Sequence, residues 1–201
     1  MSVAKRKIEL LSPARDYATA IAAIECGANA VYIGAGNFGA RRAAANSTEE
    51  IARVVDYAHL FGVKVFVTLN TILYESELRD AERLARELIA VGVDALIVQD
   101  MAYCRMGLNV PLHASTQTAC STVEQVRFFE QVGFERAILE RNLSGEDIEK
   151  ICSQTNIDIE AFVHGAICVC HSGRCFLSRS MSERSGNRGQ CSQPCRLPYD
   201  L

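Results

Sequence analysis

Short runs of apolar residues recur along the chain, separated by longer stretches in which apolar positions repeat with a helical period. Each run is too short for a helix and suits a strand that is buried on both faces. Seven strands are therefore predicted, at residues 8–11, 30–33, 64–69, 95–98, 111–114, 136–139 and 157–163. Helices are predicted between most of them, so the chain alternates strand and helix.

Local signals mark the ends of the predicted helices. Ser47, followed three residues later by Glu50, forms a capping box at the start of one helix. A second amphipathic helix is predicted over residues 75–91. A glycine stands where a helix gives way to the next strand, at Gly27, Gly62, Gly92 and Gly133. Because glycine readily takes the left-handed conformation that ends a helix, these positions mark repeated βα units.

Repeated βα units with short links predict an α/β protein with a parallel sheet and right-handed crossovers. The favoured architecture is a (β/α)8 TIM-like barrel that is incomplete, because seven strands are found where eight are needed. An open, doubly wound sheet is the alternative. Residues 1–165 are expected to form the barrel units, and residues 166–201 a cysteine-rich and arginine-rich segment continuous with them, called the cysteine segment below. Since a gap exposes strand edges, we expect an oligomer or a further C-terminal region to complete the barrel.

The ends of the predicted strands are polar, and in a barrel of this kind the carboxyl ends of the strands carry the chemistry. The residues found there are Ser12, Asn70, Gln99, Asp100, Ser115, Thr116, Gln117, Glu140, Arg141, Asn142 and His164. Asp100 and Ser115 are expected only to cap helices or to bind loop backbone. Glu160 and His164, near the end of the seventh strand, are the candidate catalytic residues, which would position a substrate or move a proton.

Composition narrows the class of protein. With 49% hydrophobic and 22% charged residues, the chain can form a packed core and lacks the signature of disorder. No apolar run approaches the ~18 residues of a membrane span, and no signal peptide is recognised, so a cytoplasmic location is expected. Nine cysteines are many for a reducing compartment, where such patterns favour metal binding or catalysis over disulfides.

The cysteine segment contains the candidate metal ligands. Cys168, Cys175, Cys191 and Cys195 provide four thiols, as an iron-sulfur cluster or a structural zinc ion requires. Only the last two approach the tight spacing of zinc knuckles, so the spacing favours the cluster, with zinc as the alternative. Cys170 is surplus to such a site and is left unassigned. A papain-like pair of a cysteine with His164 or His171 is a further alternative.

The charge of the chain changes sign along its length. After Gly165 there are five arginines against two acidic residues, a net charge of +3, which leaves −6 for the first 165 residues. Arginine in loops favours contacts with phosphate or carboxylate groups, although a solubilising surface is the simpler interpretation. The candidate substrate-binding residues are Arg174 and Arg188 of this segment and Arg41, which lies beside Arg42 in a loop over the expected barrel mouth.

Several motifs together carry a resemblance to a known family. They read Glu160-x-Phe162-x-x-Gly165-Ala166-Ile167-Cys168, Gly173-x-Cys175-x-Leu177-Ser178 and Gly189-Gln190-Cys191-x-x-x-Cys195-Arg196, with Glu9-Leu10-Leu11-Ser12-Pro13-Ala14, Tyr32-Ile33-Gly34 and Phe38-x-x-Arg41 near the start. This pattern resembles the signature of the bacterial collagenase-like peptidase family U32. The likeness covers essentially the whole chain, which is similar to the N-terminal barrel region of longer members.

The resemblance implies two different activities. Some members are named as proteases or collagenases. Others are iron-sulfur proteins that take part in oxygen-independent or prephenate-dependent hydroxylation, and their substrates are transfer RNA, ribosomal RNA or the ubiquinone ring. It implies cluster ligands at Cys168, Cys175 and Cys191, with the fourth at Cys195 or beyond residue 201. We therefore expect a 4Fe-4S protein of the RNA-hydroxylation type, with RNA or a small anion such as prephenate as substrate. A true peptidase and a zinc-stapled RNA-binding scaffold are the alternatives.

Overall fold

A computed structural model describes residues 8–41 and 44–199 of the chain. The strands of this part are β1 (Leu11–Ala14), β2 (Ala30–Ala35), β3 (Ala45–Asn46), β4 (Lys64–Leu69), β5 (Ala95–Val98), β6 (Leu112–Ala114), β7 (Arg136–Ile138) and β8 (Asp158–Glu160). Seven of them pair in the order β1-β2-β4-β5-β6-β7-β8, and every pair is parallel. The two-residue strand β3, which the sequence analysis missed, pairs with β2 beside this path.

Helices connect the strands. They are α1 (Tyr17–Glu25), α2 (Thr48–Leu60), α3 (Leu78–Ala90), α4 (Val123–Val132), α5 (Gly145–Gln154) and, within the cysteine segment, α6 (Leu177–Ser182). Short 3-10 turns occupy Glu75–Glu77, Met101–Arg105, Thr116–Thr118, Gly186–Arg188 and Pro194–Arg196. The capping box predicted at Ser47 and Glu50 is confirmed at the start of α2. In the described part of the chain, no helix is both long and apolar enough to cross a membrane.

The predicted fold class is confirmed as a curled parallel sheet with helices, an incomplete TIM-like barrel. Within the described ranges no backbone pairing joins β8 to β1, so the barrel is open between its first and last strands. The predicted boundaries differ most from the structure in β1 and β8. β1 begins at Leu11 instead of residue 8, and it includes Pro13, which an edge strand tolerates because one side of its backbone needs no partner. β8 ends at Glu160, three residues before the predicted end, and the chain beyond it is exposed.

Side chains alternate between the two faces of the sheet. On β4, Val65, Val67 and Leu69 belong to the large core between the sheet and the helices, whereas Phe66 lies on the concave face. Around Phe66 a second, smaller apolar cluster fills the inside of the curl, with Ile97 and Ile138 among its members. Because of this alternation, the side chains on the concave face differ from those that face the helices, and several of them are charged.

The charged side chains inside the curl centre on Arg136 at the start of β7. Its guanidinium donates to Glu9, which precedes β1, at 2.7 Å, and to Glu160, at the end of β8, at 3.3 Å. Glu9 also lies 3.4 Å from the ammonium group of Lys64. Only 12% of the Arg136 side chain is exposed. The ion pairs therefore join the two edge strands that backbone hydrogen bonds leave apart.

His113 on β6 packs beside this cluster, with its ring edge-on to Phe66 at a centroid distance of 4.8 Å. Burial lowers the pKa of His113 from 6.5 to about 3, and the nearby charges of Arg136 and Lys64 add to the effect. Its Nδ1 atom is buried without a hydrogen-bond partner among the described residues. His113 is therefore a neutral imidazole in the folded protein at ordinary pH.

We expect the wild-type protein to lose stability relative to a His113→Gln variant as the pH falls below about 6.5. Between the unfolded pKa of 6.5 and the folded pKa of about 3, the unfolded chain binds a proton that the folded protein excludes. One such group changes the free energy of unfolding by up to about 1.4 kcal/mol per pH unit. Urea denaturation of both proteins at about pH 8 and about pH 5 measures the effect. A stability difference that does not change with pH would contradict a neutral, buried His113.

Candidate active site

The cysteine segment is attached to the carboxyl ends of the strands through Glu140, which follows β7. The Glu140 carboxylate is buried and accepts hydrogen bonds from the Ser172 amide at 2.6 Å and the Ser172 hydroxyl at 3.0 Å. The ring of His171 lies 3.9 Å from the same carboxylate. Because a buried carboxylate is costly without donors, this pairing determines where the segment meets the sheet.

Gly173, the next residue, packs directly against the rim of the barrel. A Cβ atom at this position would lie 1.9 Å from the carbonyl oxygen of Gln117 and 2.7 Å from the side-chain nitrogen of Gln99. That nitrogen donates to the same Gln117 carbonyl at 3.0 Å. The φ angle of Gly173 is +72°, in the left-handed region. Both the space and the backbone conformation therefore require glycine here.

A second attachment of the cysteine segment uses Arg188, which the sequence analysis proposed as a substrate-binding residue. Its guanidinium forms a two-pronged ion pair with Glu77, with one N to O distance of 2.9 Å, and also donates to the carbonyl of Ile72. It lies 4.6 Å from the ring centroid of Tyr74. The hydrogen bond from Arg188 lowers the pKa of Glu77. Arg188 is thus occupied in holding the segment to the loop after β4, so its guanidinium is not free for a ligand.

The other two candidate substrate-binding arginines have different surroundings. Arg174 is exposed and forms no ion pair within the described residues, so its guanidinium is available to a ligand. Arg41 is exposed at the mouth, and Arg42 lies outside the described residues. Burial raises the pKa of Tyr32 on β2, while the charges of Arg41 and Arg141 oppose that shift. The charges of both guanidinium groups therefore act on the Tyr32 hydroxyl.

Arg141 was not singled out by the sequence analysis as a ligand-binding residue. Its guanidinium stacks over the ring of Phe162 at 4.4 Å, which brings the loop after β7 against the chain that leaves β8. The only signal in the sequence was its place directly after a strand. Tyr32 was missed because it stands inside an apolar strand run, where its inward orientation shows only in the alternation of the sheet.

The two candidate catalytic residues have different surroundings. Glu160 ends β8 on the concave face, and burial raises its pKa to about 7, although Arg136 opposes that shift. His164 lies four residues beyond the strand, in an exposed turn. His164 was predicted at the end of the strand. That position was wrong because β8 stops earlier than its apolar pattern suggests. Glu160 retains 18% exposure of its side chain and can exchange protons near neutral pH.

Several polar strand-end residues have structural roles, as the sequence analysis expected for Asp100 and Ser115. The Asp100 carboxylate accepts from the amides of Ala102 and Leu73, both at 2.9 Å. The Ser115 hydroxyl accepts from the Gln117 amide at 3.1 Å. Asn70 donates to the same hydroxyl at 3.0 Å. These hydrogen bonds fix the loops of the rim in place.

The four predicted metal ligands all lie in loops or short turns of the cysteine segment, and none forms a disulfide. Cys175 and Cys191 approach each other on either side of Gly186, where an added Cβ would lie 3.8 Å from the Cys175 carbonyl oxygen and from the Cys191 Cβ. Burial raises the pKa of Cys170, and the neighbouring thiols of Cys175 and Cys168 add to the shift. Cys170 is thus near Cys168 and Cys175, and the main chain of Cys175 lies near Cys191.

The arrangement of these thiols bears on which metal group would fit. In the described part of the chain, no three histidine, cysteine or acidic side chains are placed to hold one metal ion. An iron-sulfur cluster is several ångströms across, so its thiolates stay farther apart than the ligands of a single ion. The donor set, thiols without carboxylates, suits such a cluster. Cys195 is exposed in the last turn, and the ligand set stays a prediction.

Comparison with known proteins gives consistent matches. Residues 15–201 match the model of the family described as Peptidase family U32. The chain is 52% identical to the 23S rRNA 5-hydroxycytidine C2501 synthase of Escherichia coli (strain K12), covering 100% of this chain and 31% of that protein. It is 39% identical to tRNA hydroxylation protein P1 of Bacillus subtilis (strain 168), covering 99% of this chain and 48% of that protein. It is 30% identical to a protein named Collagenase from Porphyromonas gingivalis (strain ATCC BAA-308 / W83), covering 96% of this chain and 50% of that protein.

The chain therefore spans between about a third and a half of the length of these curated relatives. Among solved structures it is similar to the U32 peptidase Mk0906, with a TM-score of 0.65 over 80% of this chain and 70% of that one. The sequence identity in that comparison is 15%, so this likeness concerns the fold alone.

We expect Gly173→Ala to detach the cysteine segment from the rim, because the added methyl group overlaps the Gln117 carbonyl. Gly107→Ala is the matched control, since Gly107 also has a positive φ of +60° but has no atom within 4 Å of an added Cβ. The control should show only the backbone cost of about 1–2 kcal/mol. Amide hydrogen exchange of residues 166–199 measures the attachment. Equal exchange of this segment in both variants would show that Gly173 does not anchor it.

Proposed function

The chain belongs to peptidase family U32, and on this basis we propose that it forms the barrel of an RNA-hydroxylating iron-sulfur enzyme. The observation that carries the proposal is the 52% identity to a ribosomal RNA hydroxycytidine synthase along the full chain, supported by the 39% identity to a transfer RNA hydroxylation protein. Since the chain spans less than two thirds of these relatives, their activity and their RNA substrates are proposed for it. A cytoplasmic location is part of the same proposal.

We propose that Cys168, Cys175, Cys191 and Cys195 hold a 4Fe-4S cluster on the rim of the barrel. The support is the thiol-only donor set, the position of Cys170 near Cys168 and Cys175, the approach of Cys175 to Cys191 beside Gly186, and the two attachments that hold the segment in place. The cluster would supply single-electron chemistry. A structural zinc ion is the alternative occupant of the same thiols.

The residues at the barrel mouth would bind and deprotonate the substrate. The charges of Arg41 and Arg141 both act on Tyr32, and guanidinium groups suit a phosphate or a carboxylate, including that of a prephenate-like co-substrate. With water as the oxygen source, replacing a ring hydrogen by a hydroxyl group releases two protons and passes two electrons to an external two-electron oxidant. Glu160, ionised above pH about 7 and partly exposed, is placed on the concave face to take one of these protons. His164, in its exposed turn, is a weaker candidate for this role.

Proteolysis is the second candidate function, and the identity of 30% to a protein named Collagenase favours it. A cysteine peptidase needs a thiol activated by a neighbouring base. Among the described residues, no hydrogen bond joins a cysteine thiol to a histidine ring. The described residues therefore show no thiol activated in this way, and the identity to RNA hydroxylation proteins supports hydroxylation.

The anaerobically purified protein should contain about four iron and four sulfide ions per chain, as four thiolates allow. Expression in a bacterial strain that lacks its own hydroxylase should yield hydroxylated pyrimidine nucleosides, measured by mass spectrometry of digested RNA. Cys175→Ser should abolish both signals, and Cys26→Ser, an exposed cysteine at the end of α1, should preserve them. Stoichiometric zinc without sulfide would overturn the cluster, and casein cleavage lost in Cys175→Ser would favour a peptidase.

The rate of hydroxylation should rise with pH and level off above about 7, because Glu160 acts as a base only when it is ionised. Glu160→Gln should lower the rate by roughly 10²–10⁴-fold, the usual contribution of a positioned base, and should remove this rise. Because Glu160→Gln also removes an ion-pair partner of Arg136, RNA binding and iron content are measured as controls, and a loss of either would show that the variant disturbs the fold. If the variant keeps the wild-type pH profile, another group takes the proton.

A further inference from the structure

A groove of about 700 Å³ runs along the rim beside the cysteine segment. One wall is the 3-10 turn Met101–Arg105 after β5, the second is α4 after β6, and Gly173 and Arg174 form the third. Its volume lies within the range of about 300–1,000 Å³ that is usual for ligand sites. Because Gly173 is fixed against the rim, this third wall has a defined position.

Phe128 on α4 presents a rigid aromatic surface to the groove. It is 49% exposed, although it lies on a helix whose buried apolar residues face the core. Its ring packs edge-on against Phe129 at 5.7 Å, and Phe129 packs in the same way against Phe134 at 5.5 Å. The ring of Phe128 is therefore held in place by buried neighbours while part of its surface faces solvent.

Some polar groups of the groove are already bound by hydrogen bonds or an ion pair within the protein, and others are available to a ligand. The carboxylate of Asp100 is occupied by two backbone amides, and that of Glu124 pairs with Arg127 at 2.8 Å. The oxygen of the Gln125 side chain accepts from residues at the start of α4, which leaves its NH2 group available. The Gln117 side chain has no hydrogen bond to another described residue.

The groove offers an aromatic face, amide groups that donate and accept, and one unpaired cation. These groups together suit the recognition of a nucleotide in a single strand. Bases stack on aromatic rings, their edges bond to amides, and phosphate pairs with arginine. We propose that this groove binds an unpaired RNA nucleotide, with its base on Phe128 and its phosphate on Arg174. The inference rests on the proposed function and extends it, because it assigns the RNA a binding site outside the barrel mouth.

Fluorescence anisotropy of the anaerobically purified chain with a labelled single-stranded RNA tests the stacking. Phe128→Ala should weaken binding by roughly 5- to 150-fold, the range of ~1–3 kcal/mol for one stacked base. Phe128→Tyr should retain the wild-type affinity, because it keeps the ring. Phe61→Ala is the matched control, since Phe61 is a 60% exposed aromatic residue at the end of α2.

The phosphate contact is tested by the salt dependence of the same binding. Arg174→Gln should reduce the slope of log Kd against log salt by about 0.7, the contribution of one phosphate contact to a single strand. Arg79→Gln, an exposed arginine of α3 outside the groove, should leave the slope unchanged. RNA that carries a photoreactive pyrimidine should form a cross-link to the groove residues in the wild-type protein.

The outcomes separate the groove from the proposed function. If RNA binds and is hydroxylated but Phe128→Ala equals Phe61→Ala, the groove proposal is wrong and RNA hydroxylation stands. If the iron-loaded wild-type protein binds no RNA at low salt, both fail. If a collagen-derived peptide displaces the RNA and loses its own binding in Phe128→Ala, the groove is a peptide site and the nucleotide proposal is wrong.

Discussion

The ion pairs of Arg136 hold together the two free edges of the sheet. β1 and β8 share no backbone hydrogen bonds in the described part of the chain, yet the guanidinium reaches Glu9 on one side and Glu160 on the other. Removing one partner of a buried ion pair typically costs about 3–5 kcal/mol, because the remaining charge is left uncompensated. The ion pairs of this cation thus bridge the gap between the first and last strands.

Burial acts in opposite directions on His113 and Glu160, two titratable groups whose pKa values Arg136 also affects. Desolvation disfavours the charged form of each, so it lowers the pKa of His113 to about 3 and raises that of Glu160 to about 7. The cation then opposes the shift of the carboxyl group and strengthens that of the imidazole. The concave face consequently holds one base that stays neutral and one acid that changes its charge near neutral pH, and only the latter suits proton transfer.

The cysteine segment is positioned by contacts to three separate parts of the rim. Glu140 binds Ser172, Gly173 packs on Gln117, and Arg188 pairs with Glu77. These contacts bring the thiols beside the barrel mouth and also form one wall of the groove that ends at Phe128. A chain segment with little regular structure is thus given a defined place by a few buried or charge-assisted hydrogen bonds, which are the strong ones.

The sequence by itself determined the parallel βα order, the capped start of α2, the residues of β4 and β5, and the stretch that holds the candidate thiols. These features follow from local periodicity and from turn chemistry, which act over a few residues. Only the tertiary structure decided that Arg188 is bound to Glu77, 111 residues away, and that Arg136 reaches Glu9, 127 residues away. Local patterns place charged side chains on the surface or on a strand, but they do not say which of them meet. For that reason the arginine that looked free for a substrate is a structural one, bound to Glu77.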